Sequence, residues 1–121
     1  MAPNWEDDAE KIKSRFRAVE EIDPDVAVTM LLTPMPGTQV WRQGMKQNRI
    51  ESLDLEKWDA LHSIMPTRHL STKELGELCQ RANREFFSRP HRIERNRNGY
   101  TSPFVRLKFE TWQSSAHLVN A

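Results

Sequence analysis

The sequence predicts an α/β chain: a helix, one buried strand and a group of helices behind it. Three observations lead there. Ala9, Ile12, Phe16 and Val19 recur at three- and four-residue intervals, the spacing of one helical face. Val26 to Thr33 is a short, nearly unbroken apolar run between turn signals, the pattern of a strand covered on both faces. Ser71 and Glu74 then form an S-x-x-E capping box ahead of a second periodic segment, Leu75, Leu78, Cys79, Ala82 and Phe86.

Taken in order, the first helix is expected to be capped by Asn4. Glu6, Asp7 and Asp8 would then fill its first turn, where the helix dipole favours negative charge. Asp23-Pro24-Asp25 ends it, because the residue before proline is pushed out of helical geometry. After the strand, Pro34-Met35-Pro36-Gly37-Thr38 is a stiff loop whose glycine permits a turn closed to other residues. Thr38 caps a short helix through Val40, Trp41 and Met45, ending near Asn48. The stretch from Glu51 to Arg68 is less regular. The helix from Ser71 stops before Pro90, and His91 to Gly99 reads as a basic, exposed tail. Beyond it two readings stay open: a helix started by Ser102-Pro103, or a strand through the alternating Val105, Leu107 and Phe109.

A doubly covered strand needs neighbours on its edges, and the chain supplies at most one other weak strand. It therefore reads as a piece of a larger sheet, or as a subunit that completes its sheet with a partner.

Composition narrows the function. The 121 residues, 37% hydrophobic and 29% charged, suit one small core. No apolar run approaches the ~18–20 residues of a membrane span. The start, MAPNWEDDAE, has none of the features of a secretory signal. A single cysteine, Cys79, cannot form an internal disulfide, so a reducing, cytoplasmic setting is expected. It falls on an apolar helical face and reads as a small buried hydrophobe, not a nucleophile. His62, His69, His91 and His117 pair at no zinc spacing, and no metal site or catalytic residue is assigned. Phosphate-binding glycine loops and nucleophile elbows are absent from the sequence.

Two features remain. Arg81, Arg84, Arg89, Arg92, Arg95 and Arg97 crowd one stretch. They read first as a solvated face, and second as a surface of a non-catalytic binding module for an anionic partner, with nucleic acid the less expected case. The loop after the apolar run reads on physical grounds as a rigid turn. In open α/β architectures, however, ligands bind beyond the carboxyl ends of strands.

The run LLTPMPGTQVW, residues 31–41, resembles a TP-x-PGT segment of cobalamin-binding radical S-adenosylmethionine (SAM) enzymes. Ile22-Asp23-Pro24-Asp25 is similar to the stretch before it. Trp58-Asp59-Ala60-Leu61-His62-Ser63-Ile64-Met65-Pro66-Thr67-Arg68 and the following helix resemble the family's post-barrel region, especially in hopanoid methylases and anaerobic magnesium-protoporphyrin ester cyclases. The resemblance implies that residues 1–50 are the last helix-strand unit of a partial (β/α) radical SAM barrel plus a short helix. Residues 51–90 would be a post-barrel helical region and 91–121 a basic tail.

It also implies a cofactor site. Backbone at Leu32, Thr33 and Pro34 would lie near the adenosine of SAM, and Pro36, Gly37 and Thr38 would shape its rim. Trp58 and His62 would line the substrate side, though His62 suits a structural hydrogen-bonding role better. The family holds an iron–sulfur cluster on CxxxCxxC and binds cobalamin in a separate domain. One cysteine cannot supply that motif, so the chain alone is not expected to cleave SAM. It is expected to act as a fragment or subunit of a radical methylase or cyclase, completed by an upstream chain or a separate cluster-bearing protein.

Overall fold

Asp8, not Asn4, caps the first helix. In the computed structural model, which describes residues 3–99, helix α1 runs Ala9–Ile22 and the Asp8 carboxylate accepts the Lys11 N–H at 2.8 Å. Asn4 instead opens a turn, its N–H donating to Asp7 Oδ2 at 2.8 Å. Asp7 turns inward, 1% exposed, against the guanidinium of Arg15. Burial acts to raise its pKa, but the Arg15 hydrogen bonds and the Asn4 N–H outweigh it and hold the carboxyl below its ordinary range.

The α/β expectation is overturned. Among the described residues there is no strand, no sheet and no barrel unit; the regular elements are helices. Residues 26–33 form no regular element and enter no β-ladder. The physical reason is where they pack. Val26 and Ala27 lie against Phe86 and Phe87, and Leu31 joins Ile12, Leu75 and Cys79, so helices cover one side of the run. Val28 and Met30 point outward, about half exposed at 51% and 49%. The Leu31 N–H donates to Ala60 O at 2.7 Å, in an irregular loop instead of a neighbouring strand. An apolar run specifies a packed segment; a sheet also needs parallel neighbours.

Helix α2, Gln39–Lys46, starts at Thr38, whose hydroxyl accepts the Trp41 N–H at 3.2 Å. Its Gly44 is buried and leaves little room for a side chain. A Cβ there would sit 3.0 Å from Ile50 Cγ1 and 3.4 Å from Met65 Sδ. One 3-10 turn, Leu55–Lys57, interrupts the irregular stretch that follows. Helix α3, Thr72–Phe87, opens on the complete Ser71–Glu74 capping box and packs against α1.

The basic "tail" is in fact helix α4, Pro90–Gly99. It is not a solvated segment, because Arg92 is 0% exposed and Asn96 is 5% exposed. The Arg92 guanidinium stacks over the Phe86 ring, 3.6 Å from its centroid, and donates to Asp23 and Glu20. Asp23 itself is the left-handed cap of α1, at φ 49°. Two cores result. Ile12, Leu31, Leu75 and Cys79 join α1 to α3, while Phe86 and Phe87 gather Val19, Val26, Ala27 and Ile93. Truncating a side chain such as Leu75, 2% exposed, removes about 2–5 kcal/mol from folds of this kind. The helix or strand expected after Ser102 lies outside the described residues.

Candidate functional site

Two segments far apart in sequence are tied by a reciprocal pair of hydrogen bonds. The Leu31 N–H donates to Ala60 O at 2.7 Å, and the Ala60 N–H donates to Thr33 Oγ1 at 3.1 Å. The Thr33 hydroxyl is therefore a structural acceptor. Around it, Leu32 is half-buried and Pro34 buried, while Pro36, Gly37 and Thr38 are exposed. The exposed part is internally braced. Thr38 donates its hydroxyl to Met35 O at 2.7 Å, and Arg42 donates to Gly37 O at 2.6 Å. Gly37 takes φ 86°, the left-handed region that favours glycine, and faces open space.

The second segment is ordered by Asp59. Its Oδ1 accepts the Leu61 N–H at 2.8 Å and the His62 N–H at 2.9 Å, while Oδ2 meets His62 Nδ1 at 2.9 Å. The two backbone N–H groups outweigh the opposing effect of burial and, with the His62 ring adding a lesser part, hold the Asp59 carboxyl at about 2. This turn puts Ala60 at φ 62°, a conformation that costs a non-glycine residue energy. Trp58 is anchored separately, its indole N–H donating to Ser52 O at 3.0 Å.

Between this loop and α3 lies an open cavity of about 350 Å³, lined by Leu31, Leu61, His62, Lys73, Glu77 and Gln80. A second, of about 240 Å³, shares Leu31, Leu61 and Gln80 with it. Gly76 of α3 faces Ser63 there, and a Cβ at this position would make ordinary contact, 3.5 Å from Ser63 Cβ.

The structure thus ties Thr33 to the loop that carries Trp58 and His62. Of these, His62 lines the larger cavity, whereas the Trp58 N–H and the Thr38 hydroxyl serve their own loops. Sequence reasoning missed Asp59 and Ala60. Asp59 had a signal, an acidic residue able to close a turn on the N–H groups two and three positions on. Ala60 had none.

Three of the arginines in the basic stretch are engaged by carboxylates. Arg92 meets Asp23 at 2.6 Å, Arg95 meets Asp23 at 2.7 Å and Asp25 at 2.6 Å, and Arg89 meets Glu20 at 3.6 Å. His91 adds a contact to Asp23 at 3.1 Å. Together Arg95, His91 and Arg92 hold the Asp23 carboxyl well below the usual range.

No protein-family model matches the chain, and no solved structure matches it. One comparison is informative. A Pyrococcus horikoshii protein, named an uncharacterized methyltransferase, is 24% identical to it over 81 residues. Over that stretch the chain is similar to a protein that carries the name of a methyltransferase. The stretch is 67% of this chain but 18% of the relative, so the chain spans less than a fifth of that protein's length. Among the described residues no helix is long and apolar enough to cross a membrane.

The iron–sulfur cluster that the resemblance implies does not fit these residues. Cys79 is 3% exposed, in the core with Ile12, Leu31 and Leu75, and burial pushes its thiol up to about 11. Cluster ligation requires accessible thiolates. Among the described residues no three His, Cys, Asp or Glu side chains group as a metal site.

Proposed function

We propose that the chain is the C-terminal portion of a radical SAM methyltransferase, working with a cluster-bearing part that lies outside it. Within that assembly Leu32, Thr33 and Pro34 contact the adenosine side of SAM through their backbone. Pro36, Gly37 and Thr38 form the rim. Trp58 and His62 belong to the substrate side, Trp58 as a fixed wall and His62 as the polar group beside the cavity. Cobalamin and the cluster are held elsewhere, and no step of the chemistry is assigned to this chain's own side chains.

The observation that carries this reading is the Leu31–Ala60–Thr33 tie. It links the loop that resembles a SAM rim to the loop that resembles a substrate wall. The likeness to a methyltransferase over 67% of the chain supports the same reaction class. The paired arginines of α4 weigh against the alternative of a binding module built on that helix.

The test captures the tagged full chain from its native cells without oxygen. Iron, acid-labile sulfide and 5′-deoxyadenosine formed from SAM under dithionite are then measured. The expected result is an iron–sulfur complex that makes deoxyadenosine, while the chain alone makes none. Capture without an iron–sulfur protein, or a complex that leaves SAM intact, overturns the proposal. The rim assignment fails separately if SAM binds that complex equally well after Thr33 and Gly37 are replaced.

A further inference from the structure

On the far side of α3 from Ser63, facing α1, lies a different cavity. Lys13, Phe16, Arg17 and Glu20 of α1 face Leu78, Arg81, Ala82 and Glu85 of α3 across it, with Arg89 at one end. The spacing on both helices is three and four residues, so each presents one continuous face. The cavity measures about 320 Å³, at the lower end of the ~300–1,000 Å³ that small-molecule sites show. That room suits one acyl or aryl group better than a large coenzyme.

Its chemistry is two-fold. Phe16, Leu78 and Ala82 supply an apolar floor, and all three are partly buried. The rim carries four cations, Lys13, Arg17, Arg81 and Arg89, against two carboxylates, Glu20 and Glu85. Several of these charges are already engaged. Glu10 holds Lys13 at 3.1 Å, and Glu20 is shared by Arg89 at 3.6 Å and Arg92 at 3.2 Å. Arg17 and Arg81 form no ion pair among the described residues and are exposed, one on each wall. An apolar slot flanked by two free guanidinium groups matches a ligand with a hydrocarbon body and an anionic head, which guanidinium binds in a fork.

We propose that the α1–α3 groove binds a small amphipathic anion, an acyl or aryl carboxylate or phosphate. Its apolar part lies on Phe16, Leu78 and Ala82, and its head lies between Arg17 and Arg81. Glu85 opposes the head and tunes affinity downward. This site shares no lining residue with the His62 cavity, so it stands or falls independently of the methyltransferase reading.

The experiment titrates the full chain by calorimetry with decanoate and decyltrimethylammonium below their micelle concentrations and decanol below its solubility limit. Decanoate is expected to bind once per chain, decanol more weakly and the ammonium weakest. Arg17→Gln and Arg81→Gln are each expected to weaken decanoate by about fivefold, the effect of losing one exposed ion pair at the strong end. Glu85→Gln is expected to tighten it, a gain that a misfolded variant cannot mimic. Equal binding of all three probes overturns the proposal, as does absence of saturable decanoate binding. So does decanoate affinity indifferent to all three substitutions, or a preference for oligonucleotides that falls steeply with salt.

Discussion

Arg92 donates a hydrogen bond to Asp23 at 2.6 Å across a sequence separation of 69 residues. The pair clamps the end of α1 to α4. The same guanidinium also meets Glu20 at 3.2 Å and lies over the Phe86 ring. Asp23 can receive it because its own backbone is in the left-handed region, where Asp is tolerated better than bulkier residues.

Arg92→Met should therefore destabilise the chain by more than ~1 kcal/mol, above the usual worth of a surface pair, because Arg92 is fully buried while Asp23 and Glu20 stay partly exposed. Lysine should not rescue it, since it cannot fork between two carboxylates. Exposed Arg97 is the control, and its replacement by Gln should change stability by less than ~0.5 kcal/mol. Urea denaturation measures all three. A loss for Arg92→Met below ~1 kcal/mol would mean the clamp contributes little beyond surface pairing.

This clamp also marks what sequence could and could not disclose. Capping was legible at Thr38 and Ser71, because a cap is written within four residues of itself. At α1 four candidate acids and amides stood together, and the choice of Asp8 depended on Asp7 pairing with Arg15. Cys79 was legible as core from its helical spacing. The basic stretch was misread because six arginines in one run look solvated, while the carboxylates that pair with three of them, Arg89, Arg92 and Arg95, lie about 70 residues earlier. The apolar run at 26–33 was misread for a related reason. Its composition reports burial, and burial against Phe86 and Phe87 looks the same as burial inside a sheet. At the candidate site, the Thr33–Ala60 tie rests on Ala60 at a positive φ, which alanine does not announce.

Acid should weaken the fold through its hydrogen-bonded carboxylates. The Asp59 pKa falls from an ordinary 3.8 to about 2, chiefly through the Leu61 and His62 N–H groups. A carboxyl depressed in the folded state contributes stability that is complete above its unfolded value and lost as pH falls through the folded one. The Asp59 contribution should therefore be flat above about pH 4 and disappear on the way to about pH 2. Asp23 and Asp7 act in the same direction. Asp59→Asn should remove part of this acid dependence, and carboxyl NMR titration reads the shift directly. A midpoint for Asp59 near 4 would remove the basis of this prediction.

Cys79 shifts the other way. Burial raises it from 9.0 to about 11, so its favourable contribution is complete below pH 9 and is lost as pH rises through about 11. At pH 8 the native thiol should resist Ellman's reagent for as long as the chain stays folded, and react promptly in urea. Fast native labelling at pH 8 would show that the core of Ile12, Leu31 and Leu75 opens readily, or that it does not enclose the thiol.

The two structural glycines should respond differently to substitution. Gly44→Val drives new atoms into Ile50, already 3.0 Å from a bare Cβ position, and overpacking of this kind costs about 1–3 kcal/mol. Gly37 has no atom within 4 Å of a Cβ, so Gly37→Ala should cost only its left-handed backbone, about 1–2 kcal/mol. Asn at position 37 should recover part of that loss, because Asn adopts this region more readily. At position 44 Asn should recover nothing. Urea midpoints across the four variants separate packing from backbone strain.

Thr33→Val tests the link between structure and proposed function. Valine keeps the shape but removes the acceptor for the Ala60 N–H, leaving a partly buried donor unpaired at a cost of about 1–3 kcal/mol. Hydrogen exchange should accelerate at Ala60, whose N–H loses its bond at 3.1 Å, with little change in α3. Thr33→Ser retains the hydroxyl and should restore protection. If the tie holds rim and substrate wall in register, deoxyadenosine formation by the captured complex should fall with Val and recover with Ser. Protection lost while activity stays constant would separate the two loops functionally, and the hydrogen bond would then serve folding alone.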